Sequence, residues 1–108
     1  MKGLTRKEEL LLLTIRSLRR DAYLVAICGR LAEAVGERVT LPSIHVSLRR
    51  LEKSGLIDSE LGEGTAVRGG RRKKIYSLTP AGLSALVEYK RVSESLRTAA
   101  VSLAGAKR

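Results

Sequence analysis

The chain has 108 residues, of which 21 are Lys or Arg and 11 are Asp or Glu, giving a formal net charge of +10. That length supports one small domain with a modest core, and such a charge on so small a surface suits a polyanionic partner, either nucleic acid or an anionic membrane. A single Cys and a single His exclude an intrachain disulfide and a Cys- or His-built metal cluster, and three Tyr with no Phe or Trp argue against base stacking on single strands.

Thr5 and Glu8 have the spacing of a capping box and open the first predicted helix. Its residues Leu10 to Leu13, Ile15 and Leu18 are apolar on nearly every side, as in a helix covered on more than one face. In so short a chain a second subunit is expected to supply part of that cover, with Leu11 in the contact. The Leu10–Leu13 run is too short for a secretory leader, and Arg16, Arg19 and Arg20 follow it. No run approaches the ~18 apolar residues of a spanning helix. A cytoplasmic protein without membrane contact is expected.

Asp21 is read as the N-cap of a second helix over Ala22 to Val35, which Gly36 ends. Apolar residues recur along it at spacings of three and four, and Cys28 lies within that pattern as a small core residue. Val39 to Leu41 reads as a short extended stretch, since Leu41 precedes Pro42. Pro42 suits the first turn of a third helix that runs to about Ser54 and closes at Gly55. Ile44, Leu48 and Leu51 form its buried stripe, and Val46, Arg49, Arg50 and Lys53 fall on the opposite side.

Apolar and acidic residues alternate from Ile57 to Leu61, which marks a strand, and a second strand follows over Lys73 to Leu78. Between them lies a glycine-rich hairpin tip. Arg68, Arg71, Arg72, Lys73 and Lys74 fall in or beside it, and no acid occurs from Gly64 through Val87. Thr79 and Pro80 then read as N-cap and N1 of a last helix extending to about Ala104, with a frayed tail from Gly105. Two interleaved series, Leu86, Ser93, Ala100 and Tyr89, Leu96, Leu103, give it the seam of a packed helix pair.

Helix, helix, short strand, helix, hairpin, helix is the order of a winged helix-turn-helix. The segment from Ser43 to Ile57 resembles the recognition helix of the PadR family of bacterial transcriptional regulators, and Arg68 to Gly82 resembles that family's wing and the entry to its last helix. His45 and Ile75 stand where the family usually has Tyr, and Ala22-Tyr23 stands where it has Gly-Tyr. The resemblance implies a mainly α fold with a β-hairpin wing. Residues 1–78 would form the winged helix-turn-helix domain, and residues 79–108 the C-terminal dimerisation helix with a short tail. It also implies a homodimer on a pseudo-palindromic double-stranded operator, most simply as a repressor, with room for a small apolar or phenolic effector.

The expected DNA-contacting residues are Ser43, His45, Val46, Arg49, Arg50 and Lys53 on the helix and Arg68, Gly70, Arg71, Arg72, Lys73, Lys74 and Tyr76 on the wing. One of Arg49 and Arg50 could instead pair with Glu52 or Glu33, and Tyr76 is divided between core and phosphate. The expected dimer contacts are Leu11, Leu86, Tyr89, Leu96, Ala100 and Leu103, with Tyr23 and Tyr89 the aromatics near that interface. An enzyme is not expected, because the lone His, lone Cys and separated acids provide no nucleophile–base pair and no paired carboxylates. No cofactor or metal is expected either. The rival reading is a winged-helix protein–protein adaptor without sequence-selective DNA binding.

Overall fold

A computed structural model describes residues 3–62 and 73–106. Helices α1 (Arg6–Leu18), α2 (Leu24–Val35) and α3 (Leu41–Lys53) are followed by an antiparallel pair, β1 (Ile57–Leu61) and β2 (Lys74–Leu78), and then by α4 (Pro80–Ala106). The strands pair from Ile57 opposite Leu78 to Leu61 opposite Lys74.

The capping box forms at the start of α1. The Glu8 amide donates to Thr5 Oγ1 at 3.1 Å, and the Thr5 amide donates to Glu8 Oε1 at 2.8 Å. Leu11, Leu12 and Ile15 of α1 meet Ile27, Cys28 and Leu31 of α2 and Ile44, Leu48 and Leu51 of α3, and Ile57 and Tyr76 close the core from the strands. Each fully enclosed Leu or Ile stabilises this core by ~1.5–3 kcal/mol relative to exposure. Cys28 is part of it, and its thiol donates to the Val39 carbonyl at 3.2 Å.

Four sequence expectations are corrected here. Asp21 does not cap α2. It ends a 3-10 turn over Arg19–Asp21, and α2 starts at Leu24 after Tyr23, which makes no side-chain cap. The chain needs this extra turn because the Ala22 carbonyl is used elsewhere, accepting the Tyr76 amide of β2 at 2.8 Å. Val39 to Leu41 is not a strand. Thr40 caps α3, its Oγ1 accepting the Ser43 amide at 3.4 Å, so Leu41 is already helical. The burial of Ile44 and Leu48 outweighs the extended bias of a residue before proline. Leu11 is 0% exposed within its own chain, so it has no surface left for a partner. Finally, α4 continues through Gly105 to Ala106.

The end of α3 is a Schellman motif. The Leu56 amide donates to the Leu51 carbonyl and the Gly55 amide to the Glu52 carbonyl, both at 3.0 Å. Gly55 takes φ +80, a left-handed conformation that glycine adopts without steric cost.

Candidate nucleic-acid interface

The buried stripe of α3 determines what its other side presents. With Ile44, Leu48 and Leu51 turned inward, His45, Val46, Arg49, Arg50 and Lys53 are exposed, Val46 by 51%. Ser43 is exposed in the first turn, where its hydroxyl donates to the Thr40 carbonyl at 3.3 Å. Among the described residues the ion pairs are Arg6–Glu9, Lys74–Glu52 and Arg91–Glu88. Neither Arg49 nor Arg50 is neutralised in one. Glu52 is engaged elsewhere, accepting the Ser59 hydroxyl at 2.6 Å and lying 3.9 Å from the Lys74 ammonium. The α3 face is therefore a row of exposed cations beside one apolar side chain. Such a set can donate to guanine edges or phosphates and touch a thymine methyl.

The hairpin root is anchored at two points. Lys73 lies over the Tyr23 ring, its ammonium 4.1 Å from the centroid, which ties β2 to the start of α2. Glu52, through Ser59 and Lys74, ties both strands to the end of α3. Lys74 also approaches the Tyr76 ring at 6.0 Å. Tyr76 itself is only 3% exposed. It is a core residue and not a surface for phosphate, because its position in the strand turns it toward α1. Burial, and secondly the Glu52 carboxylate, push its phenol above the ordinary tyrosine value. The expected wing contacts Arg68, Gly70, Arg71 and Arg72 lie outside the described residues.

Along α4 an apolar strip is exposed among the described residues. Leu86 packs against the core, Tyr89 and Ser93 are half-buried, and Ala100 is exposed. Leu96 is 66% exposed on this face; Val101, 72% exposed, lies ~140° away around the helix. The side chain of Leu103 is not among those described. A hollow of about 770 Å³ runs along this face, lined by Leu4, Leu56, Ala85, Tyr89, Val92 and Leu96 among others. Tyr23 is at the wing root instead, so Tyr89 is the aromatic of this hollow.

The model of the transcriptional regulator PadR-like family matches residues 11–88, from the first turns of α1 into α4. The chain belongs to this family. This is a family of transcriptional regulators, not of enzymes. This PadR-like chain is 41% identical over 61 residues to the transcriptional regulator Rv3488 of Mycobacterium tuberculosis, a match spanning 56% of the chain and about half of that relative, 53%. It is similar to a PadR family transcriptional regulator from Eggerthella lenta, with 29% identity, a TM-score of 0.68, and coverage of 91% of this chain and 83% of that one. A Staphylococcus aureus MepR mutant bound to an oligodeoxyribonucleotide shares the fold at 21% identity and a TM-score of 0.62, over 92% of this chain and 64% of that one.

Sequence reasoning missed Tyr23, Glu52 and Ser59 as supports of this candidate interface. An aromatic side chain at the start of α2 carries no signal of its partner. The alternation in β1 could have identified Ser59 as facing the same side as Ile57. Among the described residues no helix is long and apolar enough to cross a membrane, and no group of His, Cys, Asp and Glu could hold a metal ion.

Proposed function

We propose that this PadR-like protein is a homodimeric repressor that reads a pseudo-palindromic operator in double-stranded DNA. The observation that carries the reading is the exposed cationic face of α3, which enters no ion pair among the described residues and is backed by three buried aliphatic residues. Two copies of α3 would enter major grooves one helical turn apart, a separation of ~34 Å. The wings would follow the flanking backbone, where released counterions supply affinity.

The apolar side of α4 supports the dimer. Val92 and Leu96 are exposed large hydrophobic residues that line the hollow, and among the described residues positions 94–102 of that helix are all exposed. A helix in water draws most of its stability from packing. A second copy of α4, laid along the hollow, supplies that packing.

Selection from random duplexes at ~0.15 M salt, where nonspecific attraction is partly screened, tests the proposal. The expected product is an inverted repeat with half-sites about one turn apart. Recovery of no common sequence would refute it.

A further inference from the structure

The first turn of α4 is bolted onto the residues that end α3. The Thr79 hydroxyl donates to the Gly55 carbonyl at 2.6 Å and accepts the Gly82 amide at 3.1 Å. The Thr79 amide donates to the Leu56 carbonyl at 3.1 Å. Above that carbonyl α4 passes so closely that a Cβ on Gly82 would overlap the Leu56 oxygen. Gly55 and Leu56 are the same two residues whose amides close the Schellman motif of α3. Their amides thus end one helix and their carbonyls start the other, so the two helix ends are hydrogen-bonded directly to each other's terminal residues.

We infer that Thr79 is a positioning residue for DNA recognition: it sets the angle between α4 and α3, and through the dimer it sets the operator half-site spacing that the protein accepts. The inference rests on the homodimer–operator reading above. One hydroxyl makes both bonds in one rotamer. It caps α4 as an acceptor and holds α3 as a donor, so neither helix can pivot without breaking a bond to the other. Valine has the same shape but can do neither. Serine can do both. The bond to Gly55 is what an ordinary N-cap lacks, since capping requires only the acceptor function. Gly82 keeps the helix near enough for that bond to form. Because α4 extends ~1.5 Å per residue over 27 residues, a small pivot at Thr79 becomes a displacement of several ångströms at its far end. In a dimer clamped by α4, that pivot changes the distance between the two recognition helices.

The test compares wild type, Thr79→Ser and Thr79→Val on a series of duplexes. Each carries the selected half-sites with their separation changed by single base pairs. Wild type and Thr79→Ser are expected to share one sharp optimum. In Thr79→Val the ratio of affinity at the optimum to affinity one base pair away is expected to shrink by about fivefold, the worth of one hydrogen bond. Thr79→Ala serves in its place if the valine variant does not fold. A variant that loses affinity equally at every spacing, or keeps the wild-type ratio, overturns the inference, because a purely structural cap would behave in that way. A wild type that binds the half-site but shows no spacing preference refutes the dimer–operator reading itself, and the inference with it.

Discussion

The ammonium of Lys73 lies 4.1 Å from the centroid of the Tyr23 ring, so a wing cation that the sequence assigns to DNA is already held by the protein. A cation over an aromatic face contributes ~0.5–1 kcal/mol at an exposed site. Tyr23→Phe should leave both stability and DNA affinity near wild type, since the ring remains. Tyr23→Leu should lose about that amount, and a double-mutant cycle with Lys73→Met should recover it as coupling. Chemical denaturation of the four proteins measures it. A coupling indistinguishable from zero would show that the contact contributes nothing.

The recognition helix and the wing should fail differently. Arg49 and Arg50 are exposed on α3, where a bidentate guanine contact is worth ~1–3 kcal/mol of discrimination. Arg49→Ala or Arg50→Ala should therefore lower the ratio of operator to random-duplex affinity. Arg71→Ala and Arg72→Ala should weaken both duplexes alike, each lowering the slope of log affinity against log salt by ~0.9. Titrations of both duplexes across a salt series decide it. The opposite pattern would make the wing the reading element.

Leu96, 66% exposed on α4, should be the sensitive point of the dimer. Leu96→Lys would bring two unpaired ammonium groups into an apolar seam, at a cost of several kcal/mol. Sedimentation velocity at micromolar concentration should show a dimer for wild type and a monomer for the variant, with the helical content of α1 to α3 retained. A wild-type monomer under the same conditions would exclude α4 as the dimer contact.

Tyr76 gives the protein an alkaline limit. Its phenol is raised above the ordinary value of about 10 by burial and, secondly, by Glu52, so the folded state holds this proton more tightly than the unfolded chain does. That contribution is fully present below the unfolded value and is lost as pH rises through the folded one. Unfolding free energy should therefore fall with pH above about 10 more steeply in wild type than in Tyr76→Phe. Parallel slopes in urea denaturation from pH 8 upward would contradict this assignment.

Arg19 occupies φ 52, ψ −119 at the end of α1, a conformation that a side chain disfavours. A non-glycine residue held in such a sparsely populated positive-φ conformation costs ~1–3 kcal/mol, and the greater chain entropy of glycine offsets ~0.5–1 of this. Arg19→Gly should thus raise the melting temperature slightly. A fall would mean that the arginine side chain holds the turn by its own contacts.

What could be read directly from the chain was local. The box of Thr5 and Glu8, the stripe of Ile44, Leu48 and Leu51, the glycines at 36 and 55 and the cap at Thr79 each depend on residues within one or two helical turns, where geometry is the same in every protein. The cationic face of α3 was legible for the same reason, as the complement of its buried stripe. Tertiary structure decided the rest. That α2 starts at Leu24 follows from the Ala22 carbonyl being claimed by Tyr76, 54 positions away in the chain. Leu11 serves its own core and Leu96 does not, although both are apolar residues at helical spacing. Lys73 rests on Tyr23, and Thr79 on Gly55, because folded helices and strands cross at those points. Periodicity states which face of an element avoids water. Which surface covers that face depends on how the elements cross, and the repeat of one element carries no record of the position of another.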